Sequence, residues 1–215
     1  MKTKKQIEEI LEKNNQGIKL DVGCGSSKQP GNFVGIDFRP LDGVDIVWNL
    51  EKFPWPLPDE SVSFATAAHI LEHITPSAPD ARLVGLVNLL LDKKVITKTD
   101  ADSYLGEYDC GPIFLRMMDE IWRIMKPFGQ MVISTPHGEN KGYAQDPTHV
   151  NMIVPATMAY FDPLVGTPLY AVYSPLPWKI VKLYYDLNGN IECALEKRPL
   201  DVSYNTIIPK WLKQK

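Results

Sequence analysis

Asp21-Val22-Gly23-Cys24-Gly25 closes one short apolar run, and Asp37 closes the next. Glycines let a ligand approach the backbone closely, and a carboxylate can accept hydrogen bonds from two vicinal hydroxyls. A ribose meets that description. A plain strand-to-loop turn would carry the same two glycines, so the interval that follows has to decide. A dinucleotide fingerprint needs a third glycine and a helix whose positive end holds pyrophosphate. Here Lys28 stands at the third glycine position, and only Gly25 to Asn32 lead into the next run. Eight residues reach roughly 26–29 Å when extended, enough to return beside a short strand but too few to add a helix of several turns. The spacing suits a ligand with a ribose and no phosphate, and S-adenosylmethionine is such a ligand.

Four histidines could accept a proton or ligate a metal: His69, His73, His137 and His149. His69 and His73 are four apart and are expected on one face of a helix, with Glu72 beside them. No third ligand accompanies the pair in the sequence, so no metal is expected there. Cys24, Cys110 and Cys193 are widely spaced, lack metal-ligand spacing, and read as reduced, buried thiols. His149 lies in QDPTHVNM, after the fifth apolar run, where an acceptor would reach the sheet edge. It is the expected catalytic base; the competing reading has Asp146 or Thr148 capping a turn and His149 packed against it.

These residues need strands to carry them. Ile18 to Val22, Phe33 to Ile36, Val44 to Val47, Val62 to Ala67 and Met131 to Ser134 are short and apolar on both faces. Such runs, separated by crossovers, predict a parallel sheet covered on both sides. Glu120 to Met125 should close a helix, with a turn over Lys126 to Gly129. Trp178 to Tyr185 and Ile191 to Lys197 should form an antiparallel hairpin, with Asn188-Gly189 supplying positive backbone angles. Ile7, Ile10 and Leu11 mark one face of an N-terminal helix within residues 1–17.

The segment 76–111 is longer than an ordinary connection. Leu83, Leu86, Val87, Leu90 and Leu91 make a helical stripe, and Thr99 to Tyr104 could follow as a second helix capped by Thr97 or Thr99. This helical insertion after the fourth strand reads equally as a lid or as a packing or dimerisation element. Tyr160, Phe161, Tyr170, Tyr173 and Trp178 are expected to pack in the core, with a pocket wall as the alternative.

The chain's 215 residues suit a single domain, 44% hydrophobic with a net charge of -3. That balance offers no electrostatic footprint for nucleic acid, no apolar run is long enough to span a membrane, and the cysteine usage suits a cytoplasmic protein.

DVGCGSS, VGID, IVWNLEKFPWPLPDESV, AAHILEHI and EIWRIMKPFGQMVIST, in that order, resemble the successive motifs of class I S-adenosylmethionine-dependent methyltransferases. The likeness is greatest to the compact subgroup with a shortened first crossover, and it runs from about Ile18 to Pro136. It implies a Rossmann-like, doubly wound, mainly parallel α/β sheet ending in an antiparallel hairpin. It also implies that Asp21, Gly23, Cys24 and Gly25 line the methionine part of S-adenosylmethionine. Asp37 would hold the ribose, Phe38 would lie against the adenine, and Asn49 and Leu50 would sit at its edge. Ala68 and His69 would follow the fourth strand beside the methyl-bearing sulfur. Asn49 stands where relatives carry aspartate, and Phe128 stands where they carry glycine, with little effect expected because Gly129 remains. The implied activity is methyl transfer to oxygen or nitrogen of a small-molecule or glycan-type acceptor. A nucleic-acid methyltransferase and a non-catalytic cofactor-binding partner are the alternatives, and a homodimer is compatible with either.

Overall fold

The computed structural model of the protein describes residues 4–75, 81–100, 112–165 and 175–200. Its strands are β1 (Ile18–Val22), β2 (Phe33–Asp37), β3 (Ile46–Val47), β4 (Val62–Ala68), β5 (Met125–Pro136), β6 (Trp178–Tyr185) and β7 (Asn190–Lys197). All seven form one sheet in the order β3-β2-β1-β4-β5-β7-β6. β1 pairs in parallel with β2 and β4, and β4 with β5, while β7 runs antiparallel to both β5 and β6. The strand order reverses between β1 and β4, and the carboxyl ends on either side of that switch point are where ligands of open α/β sheets bind.

The central strands are apolar because both their faces are covered. Ile18, Leu20, Val22, Ile36, Ala65, Ala67, Met131 and Ile133 are fully buried. α1 (Lys4–Lys13) lays Ile7 against this core with Ile10 and Leu11 beside it, and ends through Asn14, whose carbonyl accepts from Gly17 N. α2 is Ala81–Asp92 and α3 is Ile113–Ile124. On α3, Phe114, Met117, Met118, Ile121 and Ile124 recur at three- and four-residue spacing and all turn inward. Each such burial is worth roughly 1.5–3 kcal/mol. The polar face of α3 fastens the proline-rich loop before β4. Glu120 Oε1 accepts from Trp55 N at 2.6 Å, and Arg123 Nη2 donates to Leu57 O at 2.9 Å while pairing with Glu120 and Asp59. Phe161 and Trp178 are fully buried and Tyr160 packs on the core, whereas Tyr170 and Tyr173 lie outside the described residues.

Four local expectations need correction. β3 is only Ile46–Val47, because Val44 N turns back to Leu41 O and the Asp45 carboxylate itself accepts from Gly35 N at 2.8 Å. A side chain there replaces a ladder bond. β5 begins at Met125, and the register slips between Val62↔Met125 and Phe64↔Gln130, so the expected turn is a bulge inside the strand. Within it Phe128, not Gly129, takes the left-handed conformation, with φ of 62°. In the hairpin only Gly189 has positive φ (91°). Asp186 Oδ1 accepts from Asn188 N and Asn190 N, and this cap holds a longer loop than the two-residue turn.

In the insertion, α2 buries Val87 and half-buries Leu90 and Leu91, but Leu86 faces outward. Residues 98–100 are helical, and Thr97 is their cap. Its Oγ1 accepts from Asp100 N at 3.1 Å while Asp100 Oδ2 accepts from Thr97 N at 2.9 Å. Residues 101–111, most of the expected second helix, and Cys110 lie outside the described residues, as does the side chain of Leu83. Among the described residues no helix is long and apolar enough to cross a membrane.

Candidate active site at the carboxyl edge of the sheet

The loop after β1 is shaped by its glycines. Gly23 has φ of 68°, and a Cβ there would meet the Ile70 side chain at 2.5 Å, so both conformation and space demand glycine. Gly25, at φ of 53°, donates its N–H to Asp37 Oδ2 at 3.0 Å. Residues 23–32 contain no helix, so the first crossover lacks the helix N-terminus that a pyrophosphate would use.

Both acidic residues of this edge are buried and already hydrogen-bonded. Asp21 accepts from Gln29 N at 2.8 Å and from Thr66 Oγ1 at 2.9 Å. Asp37 accepts from Gly25 N through Oδ2 and from Arg39 N through Oδ1. A carboxylate oxygen has two lone pairs, so Asp37 Oδ2 retains an acceptor position, whereas Oδ1 also faces Arg39 Nε at 3.4 Å. Phe38, next in the chain, is 64% exposed, with the Arg39 guanidinium 5.3 Å from its ring centre. Asn49 is exposed, its Oδ1 accepting from Glu51 N, and Leu50 is buried. Cys24 contributes backbone only. Its sulfur is buried against Gly35, and burial with Asp21 and Asp37 nearby pushes the thiol up to about 11.

The second half of the site forms beyond β4 and β5. Ala68 ends β4 beside Ser134, and His69 N donates to Ser134 O at 2.8 Å. His69 has φ of 53°, and the chain then makes a single 3₁₀ turn, Leu71–His73. His69 and His73 therefore do not share the face of an α-helix. Glu72 turns inward and is fully buried. Its Oε2 accepts from Thr135 Oγ1 at 3.1 Å, whereas Oε1 has no hydrogen-bond partner among the described residues. His69 Nδ1 stands 3.3 Å from Oε1 as an ion contact without hydrogen-bond alignment. Side-chain pairing with this carboxylate, hydrogen bonding foremost, raises the pKa of His69, against an opposing effect of burial.

His149 arrives from a distant part of the chain. Val150 N and Asn151 N both donate to Glu72 O at 2.9 Å, and Asn151 Nδ2 donates to Leu71 O at 3.1 Å. These bonds stitch the post-β5 loop onto the 3₁₀ turn. His149 Nδ1 lies 2.9 Å from Tyr143 O, and a carbonyl can only accept, so Nδ1 carries a proton. In the neutral ring the lone pair is then on Nε2, which lies 4.0 Å from Glu72 Oε1 and 3.7 Å from Asp146 Oδ2. Asp146 and Thr148 do form the cap of the competing reading, with Thr148 N bonded to Asp146 Oδ1 at 2.8 Å, and the His149 ring packs against Tyr143 of the same loop. A cavity of about 400 Å³ opens here, lined by His69, Glu72, His73 and His149 on one side and by Asp146 and Asn190 among others. His137 stands apart, its ring against Tyr185.

Sequence reasoning did not assign Glu72, Thr135 or Tyr143 to the site. A glutamate between two histidines was the one visible signal, and only burial shows which way it points.

No family model matches the chain, and no curated protein matches it. Solved structures do. An S-adenosylmethionine-dependent methyltransferase from Archaeoglobus fulgidus shares 15% identity, with 90% of this chain and 92% of that one covered and a TM-score of 0.52. A 16S rRNA (adenine(1408)-N(1))-methyltransferase variant from Catenulisporales acidiphilia shares 13% identity over 93% and 94% of the two chains, with a TM-score of 0.50. A structure of the Haloferax volcanii Trm112 methyltransferase activator in complex with a methyltransferase matches at 12% identity over 89% and 88%, with a TM-score of 0.50. At such identities the likeness concerns the fold. The protein has the Rossmann-like fold of class I methyltransferases, with its mixed seven-stranded sheet.

Proposed function

We propose that the protein binds S-adenosylmethionine across the carboxyl ends of β1 and β2 and methylates oxygen or nitrogen of a small hydroxylated acceptor, glycan-type included. The observation that carries the cofactor reading is a glycine loop bonded to a carboxylate, Gly25 N to Asp37, on a crossover without a helix. The residues present fit the ligand. Asp37 keeps an acceptor position on Oδ2 for a ribose hydroxyl, and exposed Phe38 offers a flat apolar surface to adenine. Gly23 and Gly25 leave the backbone of the loop open to the methionine part, and nothing there is built for phosphate.

When bound, the sulfonium supplies an electrophilic methyl group on a good leaving group. The chain's own task is alignment, exclusion of water and handling of the acceptor's proton. His149 Nε2 takes that proton, Tyr143 O holds the ring in the necessary tautomer, and the buried Glu72 carboxylate stabilises the imidazolium that results. His69 lies between the two halves, its exposed ring beside Glu72. Gln145, Asp146, Asn188 and Asn190 put hydrogen-bonding side chains in the cavity wall, which suits a hydroxylated acceptor, and the net charge of -3 favours a small acceptor over nucleic acid.

Incubation with methyl-labelled cofactor and a panel of sugars, phenols, amines and structured RNA tests this reading. Label in a small acceptor is expected. Label in RNA alone would replace the acceptor class, and cofactor binding without any transfer would leave a binding protein.

A further inference from the structure

We propose that Glu72, His73 and His149 form a binding site for one divalent transition-metal ion of the zinc class, in the wall of the acceptor cavity. Each brings a ligand atom within 4.8 Å of the other two. The residues come from a 3₁₀ turn and from a loop beyond β5, joined by the Val150 and Asn151 backbone bonds to Glu72 O. Two imidazoles and one carboxylate with a further position open make a donor set suited to zinc.

Three independent features point to an ion. Glu72 Oε1 is buried and accepts no aligned hydrogen bond among the described residues, with His69 Nδ1 at 3.3 Å as an ion contact, although its partner oxygen is held by Thr135. A buried carboxylate oxygen favours positive charge beside it, which an ion supplies more fully than the half-exposed His69 ring. Next, both imidazoles are held by their Nδ1 atoms, as metal-ligating histidines usually are by their second nitrogen. His149 Nδ1 donates to Tyr143 O at 2.9 Å, and His73 Nδ1 faces Thr148 O at 3.3 Å and Thr148 Oγ1 at 3.1 Å. Thr148 Oγ1 spends its own proton on Asp146 Oδ1 at 2.7 Å, so the His73 proton belongs on Nδ1 and its lone pair on Nε2. Finally, the three ligand atoms already cluster within 4.8 Å of one another. Metal bonds of 2.0–2.1 Å in a tetrahedron set ligands about 3.4 Å apart. The 4.0 Å between Glu72 Oε1 and His149 Nε2 exceeds this, so the side chains would have to rotate inward on binding. Asp146 Oδ2, 3.7 Å from His149 Nε2 at the rim, adds negative charge at the entrance.

The chemistry of an ion here rests on the methyl-transfer reading. Its open position would take the acceptor oxygen and lower the pKa of that hydroxyl, whose proton leaves to solvent past Asp146. The His149 lone pair is then committed to the metal, so the ion replaces the imidazole base.

Untagged full-length protein is stripped with chelator and titrated with Zn²⁺ by calorimetry and with Co²⁺ by visible absorption. One equivalent of Zn²⁺ should bind, and Co²⁺ should develop the intense bands of a low-coordinate site. His73→Gln and Glu72→Gln should each weaken Zn²⁺ binding by about 100-fold or more, whereas His137→Gln should leave it unchanged. His73 is only half-buried, so its variant serves if Glu72→Gln fails to fold. No saturable binding of either ion, or binding equal in wild type and His73→Gln, would overturn the proposal. S-adenosylhomocysteine is titrated into the same samples. Intact cofactor binding with no metal site would refute the ion alone, and the converse would refute the cofactor reading alone.

Discussion

His149 Nε2 faces Glu72 Oε1 across 4.0 Å, although the two residues reach that point from opposite sides of α2, α3 and β5. The imidazole is held from behind by Tyr143 O, and the carboxylate from behind by Thr135. His149→Gln should therefore lower turnover by roughly 10²–10⁴-fold, the scale of a lost proton-transfer group, with cofactor affinity unchanged. Full turnover of the variant on an identified acceptor would reduce the site to alignment alone.

Gly23 should tolerate no side chain. Gly23→Ala adds a Cβ 2.5 Å from Ile70 Cγ1 at a left-handed position. Backbone strain of about 1–2 kcal/mol and overpacking of about 1–3 kcal/mol act together, so chemical denaturation should register a loss of about 2–5 kcal/mol. A variant as stable as wild type would mean that the loop re-forms around Ile70.

How far the molecule was legible in its residues depends on the range of the forces involved. β1, β2 and β4 are recognisable because burial on both faces leaves mostly apolar runs, broken only at residues such as Lys19 and Ser63, and the Gly23–Gly25 loop follows from backbone sterics. β3 misled because Asp45, a side chain, closes what looked like a strand. The bulge in β5 hid because Gly129 seemed the natural left-handed residue, while tertiary pairing to β4 imposes that conformation on Phe128. The site was half visible. His149 stood out as a histidine after a strand, but its partner did not, since Val150 and Asn151 reach Glu72 only through backbone bonds that carry no residue signature.

Phe128→Gly should stabilise the fold. Phe128 is 65% exposed, so little packing is lost, and glycine relieves a left-handed strain of about 1–2 kcal/mol. Glycine's greater freedom when unfolded offsets part of this, leaving a gain of about 0.5–1 kcal/mol in a denaturation midpoint. A lower midpoint would assign Phe128 a packing role.

Asp119 should make stability depend on pH. Burial pushes its carboxyl up to about 6, opposed by the Leu176 N–H that it accepts at 2.7 Å. The unfolded chain loses this proton near pH 3.9, before the folded one does, so stability falls as pH rises from about 4 to about 6. Asp119→Asn keeps an acceptor for Leu176 and removes the charge. It should raise stability by about 1–3 kcal/mol at pH 7–8 and change little at pH 4. Equal effects at both pH values would contradict a raised Asp119.

The account as a whole stands on what the Gly23–Gly25 loop and Asp37 bind. Calorimetric titration of the full chain with S-adenosylhomocysteine, beside NADH, addresses this directly. The expected result is one saturable site for S-adenosylhomocysteine and none for NADH. Asp37→Ala should weaken that site by about 1.5–3 kcal/mol, the scale of a hydrogen bond to a charged group. Saturable NADH binding with no heat from S-adenosylhomocysteine or S-adenosylmethionine would contradict it.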